Sequence, residues 1–397
     1  MRRSDFAHHW TLDPEITFLN HGSFGATPIP VLEAQSAFRA RLETEPVRFM
    51  VRELEGLLDG ARRELAAFVG ARPENLAFVP NATAGVNAVL RSLRFEPGDE
   101  ILTTTQEYNA CRNTVDFVCA ASGAVPVVAD LPFPVAGPAA IASALLERLT
   151  ARTRIVLIDH VTSQTALVFP VAAIARELAS RDIDLLVDGA HAPGMIPLDL
   201  ESLGATWYTA NCHKWICSPK GSAFLWARAD RREEIRPVAI SHGANSPRTD
   251  RSRFLIEFDW TGTFDPSAWL SIPVAIRFMG SLLGGGWPEL MRRNHELALR
   301  GRDLLCEALG IDRPAPDALL GSMASVPIPD GAASSAPALY GDPLQDALLE
   351  EFGIEVPIVP WPAPPRRLLR ISAQIYNTEA EYAYLCEALE KLLGEGR

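Results

Sequence analysis

Between Glu53 and Phe68 apolar and charged positions recur at helical spacing, and the wider stretch 30–69 reads as helix. Beyond it the period changes. Leu76-Ala77-Phe78-Val79 is a short, unbroken apolar run, which predicts a strand covered on both faces, and a helix is expected over 84–93. Further strands are expected at 100–104, 125–129 and 155–158, then a helix at 171–180 and a buried strand, Leu185-Leu186-Val187, that ends on Asp188. Two more strands follow at 206–210 and 223–226. Apolar strands alternating with helices predict an α/β fold: a large domain with a mostly parallel central sheet covered by helices.

After about Pro273 the pattern loses this rhythm. Helices are expected at 272–283 and 289–309, followed by a Pro/Ala-rich region over 313–343. Strands are expected at 355–359 and 368–372 and a closing helix at 379–393, which together read as a smaller α+β domain. The segment 357–365 carries five prolines and is expected to be an extended loop. At the other end, Phe18 to Pro30 is rich in Gly, Asn and Pro and reads as loop. The expected division is an N-terminal arm (1–30), a large domain (31–270) and a small C-terminal domain (271–397).

Composition narrows this picture in a few respects. A length of 397 residues suits two or three domains' worth of chain. The net charge of −12 argues against a nucleic-acid surface, so no nucleic-acid partner is expected. No segment approaches the roughly 20 apolar residues that a membrane helix needs, so no membrane partner is expected either. The first residues, Met-Arg-Arg-Ser-Asp-Phe, contain no apolar run, and no signal peptide is expected. Six cysteines match no zinc spacing and read as reduced thiols of a cytoplasmic protein.

Three segments carry candidate chemistry. Phe78 to Gly85 runs from strand through a short loop to a helix start, where free N–H groups and the helix dipole suit a phosphate; Thr83 adds a hydroxyl. A plain helix cap would use the same residues. Asp188 stands at the carboxyl end of an apolar strand, the edge where open α/β sheets bind ligands. A carboxylate buried there needs a cationic or donor partner, and a protonated pyridine nitrogen would serve. Alternatively it is a turn residue before Gly189. Lys214 follows the apolar strand around Tyr208, amid aromatic and small residues that would desolvate its amine and lower its pKa, as Schiff-base chemistry requires. Taken alone, a surface lysine is the commoner reading. Lys220, in Pro219-Lys220-Gly221, is the rival, in a setting that reads as a tight turn. In this order on one parallel sheet, the three segments supply a phosphate anchor, a pyridinium partner and an imine-forming amine.

The segments Val187-Asp188-Gly189-Ala190-His191 and Asn211-Cys212-His213-Lys214-Trp215 resemble those of class V aminotransferases of pyridoxal-phosphate fold type I. The run Phe18-Leu19-Asn20-His21-Gly22-Ser23-Phe24-Gly25-Ala26-Thr27-Pro28 is similar to the isopenicillin N epimerase-like branch, as are Glu45 to Phe49 and Asn81 to Asn87. The resemblance runs from about Phe18 to Asn377. It implies that Lys214 forms the Schiff base, that Asp188 pairs with the ring nitrogen and that His191 lies near the phenolic oxygen. It also implies that Tyr108 stacks on the ring. Ala82, Thr83, Asn211 and His213 match phosphate-binding positions, and Ser163 a polar position near the cofactor. Thr263 resembles a phosphate contact donated by a second subunit, so a homodimer is implied. Arg370 matches the residue that grips the substrate α-carboxylate, for which a bidentate guanidinium is suited. Asn20, His21 and Gly22 are expected beside the substrate, and Tyr108 and His21 are candidates for an acid on the face opposite Lys214.

The chemistry these residues imply begins with removal of an α-proton from an amino acid or amino-acid-bearing substrate. Reprotonation on the opposite face gives an epimerase or racemase, loss of a β-substituent a C–S lyase, and protonation on the cofactor an aminotransferase. Epimerase-like chemistry is the leading expectation. A persulfide-forming desulfurase is disfavoured, because no cysteine lies between Cys306 and Cys386. Cys212 and Cys217 flank the lysine segment and read as packing residues. A non-catalytic binding protein is the alternative from another class. No Gly-x-Gly-x-x-Gly follows an early strand, which argues against a nicotinamide fold.

Overall fold

The computed structural model describes residues 4–331 and 341–394. Part of the Pro/Ala-rich region expected at 313–343 lies outside the described residues.

The core is a seven-stranded sheet. In chain order its strands are β1 (Leu76–Val79), β2 (Glu100–Thr104), β3 (Val125–Ala129), β4 (Thr153–Asp159), β5 (Asp184–Asp188), β6 (Trp207–Asn211) and β7 (Ala223–Ala227). They lie side by side as β1-β7-β6-β5-β4-β2-β3. All pairings are parallel except those of β7, which is antiparallel to both β1 and β6. A parallel neighbour of β6 would need a crossover of a dozen or more residues, usually a helix. The turn from Asn211 to Ala223 contains no helix, so the chain doubles back. Strand β6 is buried along its whole length, as are β1, β2 and β7, which accounts for unbroken apolar runs in place of alternation.

Helices cover both faces. The stretch expected to be helical over 30–69 is helical with one break, at Glu45: α1 (Ile29–Thr44) ends there, and a helical turn at Pro46–Arg48 and a π-helical stretch at Phe49–Glu53 run into α2 (Leu54–Val69). Helices α3 (Ala82–Ser92) and α4 (Asn109–Ser122) follow β1 and β2. Asn81 caps α3 by accepting from the Ala84 N–H at 2.8 Å, and Gly123 ends α4 in the left-handed conformation at φ 79°. Among the described residues no single helix is long and apolar enough to cross a membrane.

The C-terminal part carries a three-stranded antiparallel sheet: β8 (Met323–Ile328), β9 (Ile358–Pro360) and β10 (Arg367–Ser372), with β10 in the middle. The strand expected at 355–359 is divided. Ile354–Glu355 pairs in parallel with Thr17–Phe18 of the arm, and Ile358–Pro360 pairs with β10. Two features therefore differ from the sequence expectation. The proline-rich 357–365 segment contributes edge strand β9, and the N-terminal run contains a helical turn, His21–Phe24. Edge pairing explains the first, since proline is tolerated where the outer N–H groups face no partner.

Candidate active site

Strands β4 and β5 pair so that Asp159 lies beside Asp188, both at carboxyl ends, and β6 delivers Lys214 three residues past its own end. The sheet thus gathers acid and amine at one edge, as open α/β sheets do.

Lys214 Nζ is 2.9 Å from His191 Nε2, and the indole N–H of Trp215 donates to His191 Nδ1 at 3.4 Å. An indole nitrogen only donates, so Nδ1 accepts and the neutral ring carries its proton on Nε2. With that tautomer, Nε2 donates to the Lys214 amine in its uncharged form. Burial pulls the Lys214 amine down to about 8, with the nearby Arg370 charge adding to the shift and Asp188 opposing it. Burial also holds His191 well below its ordinary value, so it stays neutral. A neutral amine is the form that attacks an aldehyde. The rate at which the apoprotein takes up pyridoxal phosphate is therefore expected to rise with pH to a midpoint near 8 rather than 10.5, as followed by growth of visible absorbance.

Asp188 is 1% exposed. Its Oδ1 accepts from the Ala190 N–H at 2.9 Å and its Oδ2 from the Cys111 thiol at 3.1 Å. Glu107 and Asp159 are buried close by, and one acceptor atom each of Glu107, Cys111 and Asp188 fall within 4.8 Å of one another. Burial raises all three carboxyls, and proximity to Asp188 raises Glu107 further. Among the described residues no lysine or arginine forms an ion pair with any of them. Glu107 Oε1 and Asp159 Oδ2 have no hydrogen-bond partner. So much buried acid with so little compensation fits a ligand that brings a cationic N–H, and a protonated pyridine ring does so.

The opposite end of the site suits an anion. The N-terminus of α3 follows Pro80, with Ala82 buried and Thr83 half-buried on its first turn. Asn211 Oδ1 accepts the Ala82 N–H at 2.9 Å and so ties the end of β6 to the helix start. His213 Nδ1 donates to the Ser222 carbonyl at 3.1 Å, which leaves Nε2 as the other polar end of the ring. Backbone amides and the helix dipole there favour phosphate. Gly85 lets this helix approach the sheet, since a Cβ at that position would stand 2.0 Å from Thr209 Oγ1. Tyr108, just before α4, is 40% exposed and follows Glu107 directly. Thr263 is exposed between Trp260 and Phe264, and among the described residues no hydrogen bond joins it to Thr83, Asn211 or His213.

Arg370, on β10, is 3% exposed. Its Nη1 donates to the Ser163 carbonyl at 2.7 Å and lies 3.3 Å from Ser163 Oγ; its Nη2 donates to Ser23 Oγ at 2.9 Å and to Asn20 Oδ1 at 3.3 Å. These contacts with Ser163, Ser23 and Asn20 orient the guanidinium. Gly22 lies against the same strand, its N–H donating to Ser372 Oγ at 3.0 Å.

His21 departs from expectation. It is fully buried, its Nε2 donates to the Lys214 carbonyl at 3.0 Å, and its Nδ1 accepts from the Tyr376 hydroxyl at 2.8 Å. Burial pulls the ring down to about 3. A neutral imidazole with both nitrogens engaged does not suit the proton-donor role expected of it. Lys220 also declines its rival role, since its Nζ donates to the Gly25 carbonyl at 2.9 Å. Cys212 and Cys217 are fully buried, and burial pushes the Cys217 thiol up to about 12. All six thiols are buried.

Sequence reasoning gave no role to Glu107, Cys111, Asp159, Ser23 or Tyr376. Asp159 carried a usable signal, because it ends an apolar strand just as Asp188 does. Glu107 and Cys111 flank Tyr108 but show no pattern of their own; only the packing of α4 on the sheet brings them to Asp188.

The family model for aminotransferase class V matches residues 19–385. The chain is 37% identical to an isopenicillin N epimerase of Amycolatopsis lactamdurans over 96% of both chains. It is 30% identical to a probable chloroplastic L-cysteine desulfhydrase of Arabidopsis thaliana, over 99% of this chain and 86% of that one. Among solved structures, a cysteine desulfurase of Escherichia coli superposes with a TM-score of 0.78 at 21% identity, covering 98% of each chain, a likeness of fold.

Proposed function

The chain belongs to the aminotransferase class V family, and from that premise we propose that it is a pyridoxal-phosphate enzyme acting at the α-carbon of an amino acid or amino-acid-bearing substrate, with epimerase-like outcome. The observation that carries this reading is the buried amine of Lys214, pulled down to about 8 and set beside His191 on the sheet edge that also presents Asp188. When bound, the cofactor supplies an electron sink for the pair left behind as a bond to the α-carbon breaks.

In this reading Lys214 would hold the cofactor through Nζ, and the same Nζ is the base that takes the substrate's α-proton. Asp188, held in place by the Ala190 N–H and the Cys111 thiol, would pair with the ring nitrogen. Ala82, Thr83, Asn211 and His213 would bind the phosphate, Tyr108 would pack against the ring, and His191 and Ser163 would hold its oxygen. Arg370 takes the substrate carboxylate, with Asn20 and Gly22 forming the wall beside it. Tyr108 is the remaining candidate for the acid on the second face that epimerisation needs. A homodimer in which the exposed Thr263 completes the neighbour's phosphate site belongs to the same proposal.

The epimerase relatives, at 37% and 36% identity over nearly the whole chain, support this outcome over the lyase. A C–S lyase on a sulfur-bearing amino acid is the second reading, favoured by the desulfhydrase relatives at 30%. The burial of all six thiols weighs against persulfide transfer. Incubating the holoenzyme with a panel of amino acids in heavy water separates the outcomes. Deuteration with inversion supports the epimerase, pyruvate supports the lyase, and stoichiometric keto acid supports transamination. No α-deuteration of any amino acid would sink the proposal.

Arg370→Ala is expected to raise KM far more than it lowers kcat. Loss of one partner of a buried charge pair costs about 2–5 kcal/mol, roughly 30-fold or more in kcat/KM. An amine substrate lacking the carboxylate should be indifferent to the change, and steady-state kinetics on both substrates checks this.

A further inference from the structure

The N-terminal turn at 20–23 touches both sides of the site. Asn20 and Ser23 accept from Arg370, and Gly22 donates to Ser372. His21, between them, faces the other way, towards the main chain of Lys214. Its tautomer follows from its partners. A carbonyl only accepts, so Nε2 carries the proton, and Nδ1 then accepts from Tyr376. The ring packs on Trp215 at 4.8 Å between centroids. Cys217 Sγ and Gln374 Nε2 approach Nε2 at 3.7 and 3.4 Å, and the ammonium of Lys220 acts on the ring from farther off.

The arm has little room to let this contact go. A Cβ on Gly22 would stand 2.5 Å from Met323 Sδ. Gly25, at φ 70°, donates to the His21 carbonyl at 2.7 Å, and a Cβ there would stand 1.9 Å from the His213 carbonyl oxygen. The arm backbone is therefore pressed on both sides of residue 21, against the C-terminal sheet and against the segment that carries Lys214.

We propose that His21 is a positioning residue, a neutral imidazole that fixes the main chain of Lys214 relative to Tyr376, so that the amine and the carboxylate-binding guanidinium are held at one separation. This rests on the assignment of Lys214 as the cofactor-bearing amine. The same hydrogen bonds give the arm a purpose in both halves of the site. It orients Arg370 through Asn20 and Ser23, and Lys214 through His21.

The test is spectroscopic and needs no known substrate. Wild type, His21→Ala, His21→Gln and Tyr376→Phe are loaded with pyridoxal phosphate, and the visible band is titrated with pH. A displaced Lys214 changes the environment of the linkage, so His21→Ala should move the midpoint by about one pH unit. His21→Gln keeps a side-chain N–H and should recover most of the wild-type value, which a role in packing alone would not produce. Tyr376→Phe, which removes the donor to Nδ1, should move the midpoint in the same direction by less. A folded His21→Ala protein with the wild-type midpoint overturns the inference. If that variant does not fold, a wild-type midpoint in Tyr376→Phe overturns it instead. A wild-type protein that forms no visible band contradicts the Lys214 assignment itself, a failure distinct from either of these.

Discussion

Replacing Lys214 by alanine is expected to lower turnover by about 10⁴-fold or more, the largest single effect at this site. The change removes two functions at once: the covalent hold on the cofactor and the base that takes the α-proton. The fold should survive. The amine is held below its ordinary value by burial, so its charged form gains nothing from the native environment. Alanine relieves that desolvation, and the apoprotein should melt no lower than wild type. The holoenzyme behaves differently, because covalent linkage stabilises the native state and its loss removes that increment. Three measurements check this: the visible band, mass spectrometry after borohydride reduction, and turnover with and without an added small amine. A small amine should restore a fraction of the activity by replacing the missing base. Turnover by the unassisted variant along the same route would remove Lys214 from the mechanism.

Asp188→Asn is expected to cost about 10²–10⁴-fold in kcat/KM. Asparagine keeps the shape and can still accept from the Ala190 N–H, but it carries no charge to hold a proton on the ring nitrogen. The electron sink weakens accordingly. Stability should move the other way. Burial raises Asp188 above the ordinary carboxyl value, so the folded apoprotein binds more protons than the unfolded chain as pH climbs past that ordinary value. Native stability contributed by this group is therefore present at low pH and lost as pH rises. The neutral amide does not titrate, so the apo variant should gain on wild type as pH rises from about 4 to 7. Thermal melts at the two pH values, beside kinetics at neutral pH, separate the two effects. An Asp188→Asn enzyme with near wild-type kcat/KM would mean that the ring nitrogen is held by another group, and Glu107 would be the first to examine.

The two expectations are coupled through the buried acids. Glu107 and Asp188 lie close together and Asp159 is paired beside Asp188 across the sheet; the Lys214 amine acts on Asp159 and Asp188, and Arg112 on Glu107. An arriving ring N–H meets a carboxylate already oriented by two donors, so little reorganisation is needed on binding.

The sequence by itself determined the layout of the sheet edge. Short, largely apolar runs placed β1 to β7 to within a residue or two, most plainly β1 and β7, whose burial on both faces leaves no room for a polar break. Residues that end such strands, Asp188 and the turn to Lys214, inherit their position from that rule, as does Thr83 at the start of a helix. The direction of β7 did not follow from its composition, since a buried strand reads the same whichever way it runs. Nor did the roles of the arm. His21 in sequence is one histidine in a glycine-rich run, and it looked available as an acid. Only when the arm pairs with Ile354–Glu355 and wedges between β10 and the Lys214 segment are both its nitrogens taken. Glu107, Cys111 and Tyr376 belong to the same class. Their partners lie 77 residues away or more in the cases of Cys111 and Tyr376, and a contact at that separation is set by how helices and strands pack, which local pattern does not encode. Periodicity is a local property and decided the elements; neutrality, burial and pairing at the site are properties of the packed whole.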